Sequence, residues 1–285
     1  MNKRALILAG FGIFCLAAAI PQGVLLRRDV KENTTEVYKL VNDIKQTLTI
    51  PSMGDQDANS SSSMTLTLKT TKVDPTSGQG DVESTISDIK MKSDGMGANA
   101  VDQIQASMPK EFKTTGKIDP RNHMVLAPAK GSGMLDAILG SSSPTSSLIF
   151  VEFPDKAVSV GDSWTFELPK SPFFGKAPQT LTAKLVGEKS YEGAQVWQIS
   201  VSGIIKIDAD LTEVMKNAPD NPLGGQKATM KGTIDLTGDA LIDKQSGKTL
   251  AYSTSSKTKG AMELPDMGIT IDSVGSAKTT MTLQK

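Results

Sequence analysis

The residue patterns in this chain that could do chemistry each lack a part the chemistry requires. Serines beside glycine occur at Gly161-Asp162-Ser163 and Gly131-Ser132-Gly133, where a nucleophile could sit on a sharp turn. Such a serine needs an imidazole to take its proton, and in the order these turns imply the histidine comes later in the chain. His123 is the only histidine and precedes both serines. It ends the turn-like run Asp119-Pro120-Arg121-Asn122-His123 and reads as a surface residue. A five-residue nucleophile elbow would also need glycine where Thr165 stands. Gly247-Lys248-Thr249 has the end of a phosphate-cradling loop, yet Ile242 occupies the place of its first glycine. A strand pattern, not a helix, follows, so this segment reads as a hairpin turn.

Metal ligands are equally sparse. Asp55, Asp57 and Asn59 have the one-three-five spacing of a calcium loop, but Ser60 replaces the turn glycine and Leu66 stands where a bidentate glutamate belongs. Asp208, Asp210 and Glu213 read as the acidic start of a helix. With one histidine, and Cys15 the only cysteine, a zinc or copper site has no ligand set. The expectation is a non-enzymatic protein with no catalytic residues, metal or cofactor; a hydrolase with an unrecognised site is a further alternative.

The amino terminus says where such a protein would work. Lys3 and Arg4 precede an uncharged stretch from Ala5 to Leu26 that contains Ala17-Ala18-Ala19. A basic start, an apolar middle and a small-residue site are the parts of a secretory signal, here residues 1–19, cut before Ile20. The alternative is an uncleaved membrane anchor over residues 5–26, followed by Arg27-Arg28. Either way the remainder, residues 20–285, is an exported domain, periplasmic or at the cell surface, touching the membrane only through that first segment. Without Cys15 it can form no disulfide, so its stability must come from a core.

Lys and Arg number 31 and Asp and Glu 31, a balance that gives no electrostatic reason to expect nucleic acid or an anionic membrane as a partner. Aromatic residues make up only 5%, which argues against base-stacking platforms. Thirteen methionines supply soft apolar filler or the lining of an adaptable cavity.

The elements that must position any site are strands. From Thr35 to Ile50, Tyr38, Leu40, Ile44, Leu48 and Ile50 share one parity, while Lys39, Asp43, Lys45, Thr47 and Thr49 share the other. The pattern returns at Met64–Leu68, Trp164–Leu168, Trp197–Ile207 and Ala277–Leu283. Turn clusters lie at Asp74–Gly78, Tyr191–Gly193 and Asp243–Gly247. Strands joined by short turns pair antiparallel, so the predicted fold is mainly β: a long curved antiparallel meander resembling a half-barrel. Three segments have helical spacing, at 98–108, 131–140 and 209–218, and are expected as short helices on the concave face. The Ser-rich run 141–147 is a candidate linker between two halves.

The segment Phe153-Pro154-Asp155-Lys156-Ala157-Val158-Ser159-Val160-Gly161-Asp162-Ser163-Trp164 resembles the Pro-x-Lys-x-Val-x-Val-Gly-Asp-Ser-Trp signature of an uncharacterised family of exported bacterial β-rich proteins. The stretch Leu25 to Tyr38 and the hairpin Tyr191 to Trp197 resemble parts of that family more loosely. In physical terms Val158 and Val160 point to one side, Gly161-Asp162 bends the chain, and Trp164, Phe166 and Leu168 plug the core on the next strand. By architecture alone the pattern also resembles LolA-type half-barrel carriers of bacterial lipoproteins and lipids, and architecture does not carry function.

Asn42 and Gln46 fall on the apolar parity of the first strand, where a dry core would reject unpaired amides. The expected cavity is lined by Tyr38, Asn42 and Gln46 and lidded by Val101, Ile104 and Met108. Its expected occupant is a hydrophobic envelope molecule or an envelope protein. The competing expectation is a structural or surface-attached β protein whose concave face is a filled core.

Overall fold

Period-two alternation builds nearly every element of the computed structural model, which describes residues 23–95, 101, 105–106, 108–127, 150–168, 174, 177–212 and 227–285. The strands are β1 Thr35–Ile50, β2 Gly54–Val73, β3 Gly80–Gly95, β4 Glu111–Ile118, β5 Met124–Leu126 and β6 Ser163–Glu167. They continue as β7 Thr180–Tyr191, β8 Ala194–Asp210, β9 Thr229–Asp243, β10 Thr249–Leu264 and β11 Ile269–Leu283. All belong to one open antiparallel sheet in the order β5-β4-β3-β2-β1-β11-β10-β9-β8-β7-β6. Strands consecutive in the chain pair with each other except β5 and β6, which form the two opposite edges; at the middle β1 lies against β11 in the register Tyr38 to Leu283 through Thr49 to Asp272. The domain's two ends therefore meet at the sheet centre. Its edge strands, β5 and β6, are only three and five residues long, and β3 beyond Ser87 and β7 beyond Leu185 extend past the strands that flank them on the edge side.

Strands on both sides of 141–147 share this sheet and one core cluster, while the run itself lies outside the described residues. So do the proposed signal 1–19, most of the alternative anchor 5–26, and the segment 131–140. Within the anchor's last residues, Val24 forms a two-way bridge to Val158 and Leu26 is buried in the core.

A strap from Phe150 to Val158 crosses from the β5 side to the β6 side and seals one end of the inner face. Phe153 N–H donates to Arg121 O at 2.7 Å and Asn122 Nδ2 to Val151 O at 3.1 Å. Arg27 donates to the carbonyls of Pro154 and Asp155, both at 2.7 Å. Beneath the strap lie Tyr38, Leu40, Leu66, Leu68, Leu185 and Ile199, all buried. Full burial contributes about 1.5–3 kcal/mol for each large apolar side chain. A charged group is buried with them: Glu36 accepts from Arg28 Nη2 and from the Tyr38 hydroxyl, each at 2.6 Å, while Arg28 Nη1 donates to Asn122 Oδ1 at 2.8 Å.

The entering chain also presses on the β9–β10 turn. Asp29 N–H donates to Ser246 O at 2.8 Å, and a Cβ on Gly247, whose φ is 65°, would stand 2.0 Å from Arg27 O. Further out on the inner face Gly232 and Gly260 are direct cross-strand partners. A Cβ on Gly232 would lie 2.5 Å from Lys259 O. The neighbouring strands leave no room for a side chain at either position, and a pair of glycines permits the approach.

Two expectations are corrected. Val160 does not share a side with Val158: Val158 is buried by its bridge to Val24, while Val160 is 60% exposed. The reason is the turn, where Asp162 N–H donates to Ser159 O and Asp162 Oδ2 accepts from Ser159 N–H, ending the strand alternation. The helix expected at 209–218 does not begin at Ala209, because Ala209 and Asp210 complete β8. Ala209 is buried between exposed Asp208 and Asp210, so period two outlasts the helical spacing there. Helical backbone among the described residues is confined to Val101, Gln105, Ala106, Thr212 and the 3-10 turn Pro265–Met267.

Candidate ligand cavity

Along β1 the inward side chains change from sealed to accessible. Tyr38 and Leu40 are buried, whereas Asn42, Ile44, Gln46, Leu48 and Ile50 are half-buried. Where the strap's cover ends, the inner face holds a cavity of about 330 Å³, at the lower end of the range that small-molecule sites occupy. Its floor is set by register: Asn42 faces Thr279, Thr279 faces Thr254, and Thr254 faces Gly238. Two residues along, Ile44, Ala277, Ser256 and Leu236 form the next row. Beyond it run Gln46, Gly275, Thr258, Ile234 and Ile205. The side toward β8 and β9 is apolar, with Ile207, Met230, Ile234 and Leu236; the side toward β1, β11 and β10 carries amides and hydroxyls.

No charged residue lines this cavity among the described residues. A mostly apolar recess without a counter-charge offers nothing to stabilise an ionised occupant, so the arrangement suits a neutral molecule. Asn42 Oδ1 accepts from the Thr279 hydroxyl at 2.9 Å and Gln46 Nε2 donates to the Ser273 hydroxyl at 2.6 Å. Each amide thus uses one of its two ends within the wall, and the other end has no partner among the described residues. Tyr252, buried in the same wall, has its phenol held in the neutral form, its pKa pushed up by burial.

Of the residues expected to line a cavity, the structure brings Asn42 and Gln46 together. Tyr38 lies in the sealed core beyond the lining, its hydroxyl engaged by Glu36 and its pKa raised by burial first and by the Glu36 charge. Val101 and Met108 are half-buried and are not in the cavity wall, and Ile104 lies outside the described residues. The residues that sequence reading missed are those of β9 and β10: Met230, Ile234, Thr254, Ser256 and Thr258. Their signal was the inward parity of Tyr252, Thr254, Ser256 and Thr258, masked by equally polar neighbours on the other parity.

The remaining chemical patterns are placed plainly. His123 is exposed. Asp55 and Asp57 lie in β2, accepting from the cross-strand hydroxyls of Thr49 and Thr47 at 2.6 and 3.0 Å rather than curling into a loop. Among the described residues no three His, Cys, Asp or Glu are grouped to hold a metal ion. Lys248 of the phosphate-loop-like segment pairs with Glu36 at 3.3 Å. A larger depression of about 920 Å³ is lined chiefly by outward side chains, including Asp43, Lys45, Lys92, Asp94 and Lys278. Its closely mixed charges and open form make it a solvated surface rather than a pocket that removes a ligand from water.

No family model matches the chain, and no curated protein is similar to it. Among solved structures it is similar to DynF from the dynemicin biosynthesis pathway of Micromonospora chersina, with 11% identity over 98% of this chain and 92% of that one, at a TM-score of 0.24. It is also similar to OccK7 (OpdD) of Pseudomonas aeruginosa, with 5% identity over 88% of this chain and 100% of that one, at a TM-score of 0.20. Likenesses this loose transfer no function.

Proposed function

We propose that this chain is an exported, non-enzymatic binding protein that holds a small hydrophobic molecule of the cell envelope in the inward cavity of its open sheet. The observation that carries this reading is the cavity: about 330 Å³, mostly apolar, uncharged, and placed where the inner face passes from sealed core to accessible surface. A recess of this size with a mostly apolar, uncharged lining is the kind of surface that small-molecule sites use. The basic and apolar amino-terminal sequence supports export, and the lack of a complete catalytic constellation in the sequence supports binding over turnover.

The test is a titration of the purified domain with N-phenyl-1-naphthylamine, whose fluorescence rises in apolar surroundings. Saturable binding is expected, and Ala277→Phe, which places a ring in the cavity floor, should weaken it strongly while the melting temperature stays high. Linear, non-saturating fluorescence, or binding that Ala277→Phe leaves unchanged, would rule out the cavity as the site.

A further inference from the structure

Strand β10 turns four hydroxyl-bearing side chains in succession, Tyr252, Thr254, Ser256 and Thr258, toward the same cavity. Inward positions at this level on β9 are Ile234 and Leu236, the kind of residue an inner face calls for. None of the four hydroxyls has a hydrogen-bond partner among the described residues, whereas Thr279 and Ser273 on the adjacent strand are engaged by Asn42 and Gln46. Ser256 and Thr258 are half-buried and open to the recess, so an occupant that displaces water from this row must offer hydrogen-bond partners in its place. Alternate residues of an antiparallel strand are about 6.8 Å apart, so Thr254 to Thr258 alone extends about 14 Å.

We infer that the cavity takes a neutral, elongated amphiphile that carries hydroxyl, ester or amide groups at intervals along one edge. Its polar edge lies along Thr254, Ser256 and Thr258, with the spare ends of the Asn42 and Gln46 amides nearby. Its apolar edge lies against Ile207, Ile234 and Leu236. Charge is disfavoured because no ionised side chain lines the wall among the described residues, and the volume suits one chain or one small ring system rather than a lipid with two long chains. This inference rests on the cavity being a ligand site and adds which class of molecule it selects.

The experiment displaces bound N-phenyl-1-naphthylamine with two neutral probes of matched length, methyl 12-hydroxydodecanoate and methyl dodecanoate. The first has polar groups at both ends of its chain; the second lacks the distal hydroxyl. They are compared on the natural protein and on a Thr254→Val, Ser256→Ala, Thr258→Val variant, which removes the hydroxyls and keeps the strand's shape. The variant is expected to lose about ten-fold or more in affinity for the hydroxy ester, as one to two hydrogen bonds require, and to hold methyl dodecanoate within about two-fold. Should the triple variant fail to melt cooperatively, Ser256→Ala alone carries the comparison, with about a three- to ten-fold loss confined to the hydroxy ester. Equal changes for both probes, or none, with the fluorophore still bound, would overturn the edge-recognition inference and leave the cavity site standing. No saturable fluorophore binding to the natural protein would overturn both.

Discussion

Replacing Glu36 by glutamine removes the carboxylate at the centre of a buried polar cluster and keeps its shape. Glu36 holds Arg28 at 2.6 Å, accepts the Tyr38 hydroxyl at 2.6 Å and faces Lys248 at 3.3 Å; the Arg28 and Glu36 side chains are 4% and 7% exposed. Lys248 is 26% exposed and can turn to solvent, but Arg28 cannot, fixed by Asn122 and lying against the Phe150 ring. Removing one member of such a pair leaves an uncompensated buried charge, at a cost of about 3–5 kcal/mol. For a domain of this size that corresponds to a fall of roughly 6–20 °C in melting temperature at neutral pH. The pH dependence follows from the same contacts. Burial pushes the Glu36 carboxyl up, but the Arg28 charge, the Tyr38 hydroxyl and Lys248 together outweigh it and hold the group below its ordinary value of 4.5. A carboxylate lowered in the folded state binds its proton more readily when unfolded, so its contribution is complete above that value and is lost as pH falls through the folded one. Urea unfolding of the natural protein should therefore show stability dropping as pH falls below the ordinary carboxylate value, with a shallower drop in Glu36→Gln. A loss under about 1 kcal/mol at neutral pH, or identical acid profiles, would refute the view that this cluster locks the sealed end.

Gly247→Ala should destabilise severely, by about 3 kcal/mol or more, because the added methyl meets the Arg27 carbonyl and the residue keeps a left-handed φ; a melting temperature within a degree of the natural protein would show that the entering chain does not press on this turn. Gly260→Val should weaken stability, since its Cβ would lie 2.7 Å from Lys231 O; far-ultraviolet circular dichroism and thermal melting check it, and an unchanged melt would mean that the close approach is not needed. Trp164, half-buried with Nε1–H donating to Glu152 O at 2.7 Å, should cost about 3 kcal/mol as alanine. As phenylalanine it should cost only about 1 kcal/mol, the value of one hydrogen bond; equal costs in chemical denaturation would contradict that division.

The strands most readable from sequence are those with a single wet face. Thr35–Ile50 emerges with its predicted boundaries because five apolar side chains hold one parity against charged and threonine residues on the other. The turns at Asp74 and Asp243 were readable because both aspartates accept the following backbone N–H groups, a local device. Strand β10 escaped notice because Tyr252–Gly260 is polar on both parities, which erases the alternation that reports a buried face. The β1–β11 pairing, the strap and the Arg28–Glu36–Asn122 cluster join residues far apart in the chain, and no local pattern encodes them. Asn42 and Gln46 stood out because an amide on an apolar parity violates a local rule. Their unengaged neighbours on β10 violated none that a single strand could show.

Native mass spectrometry of the protein purified from its own host, released without detergent, tests the central claim most directly. A neutral molecule should ride with the natural protein at one per chain and be absent from Ala277→Phe prepared in parallel. A mass equal to that of the bare chain in both preparations, together with no saturable uptake of an apolar probe, would contradict a ligand in the sheet's cavity and favour a structural β protein.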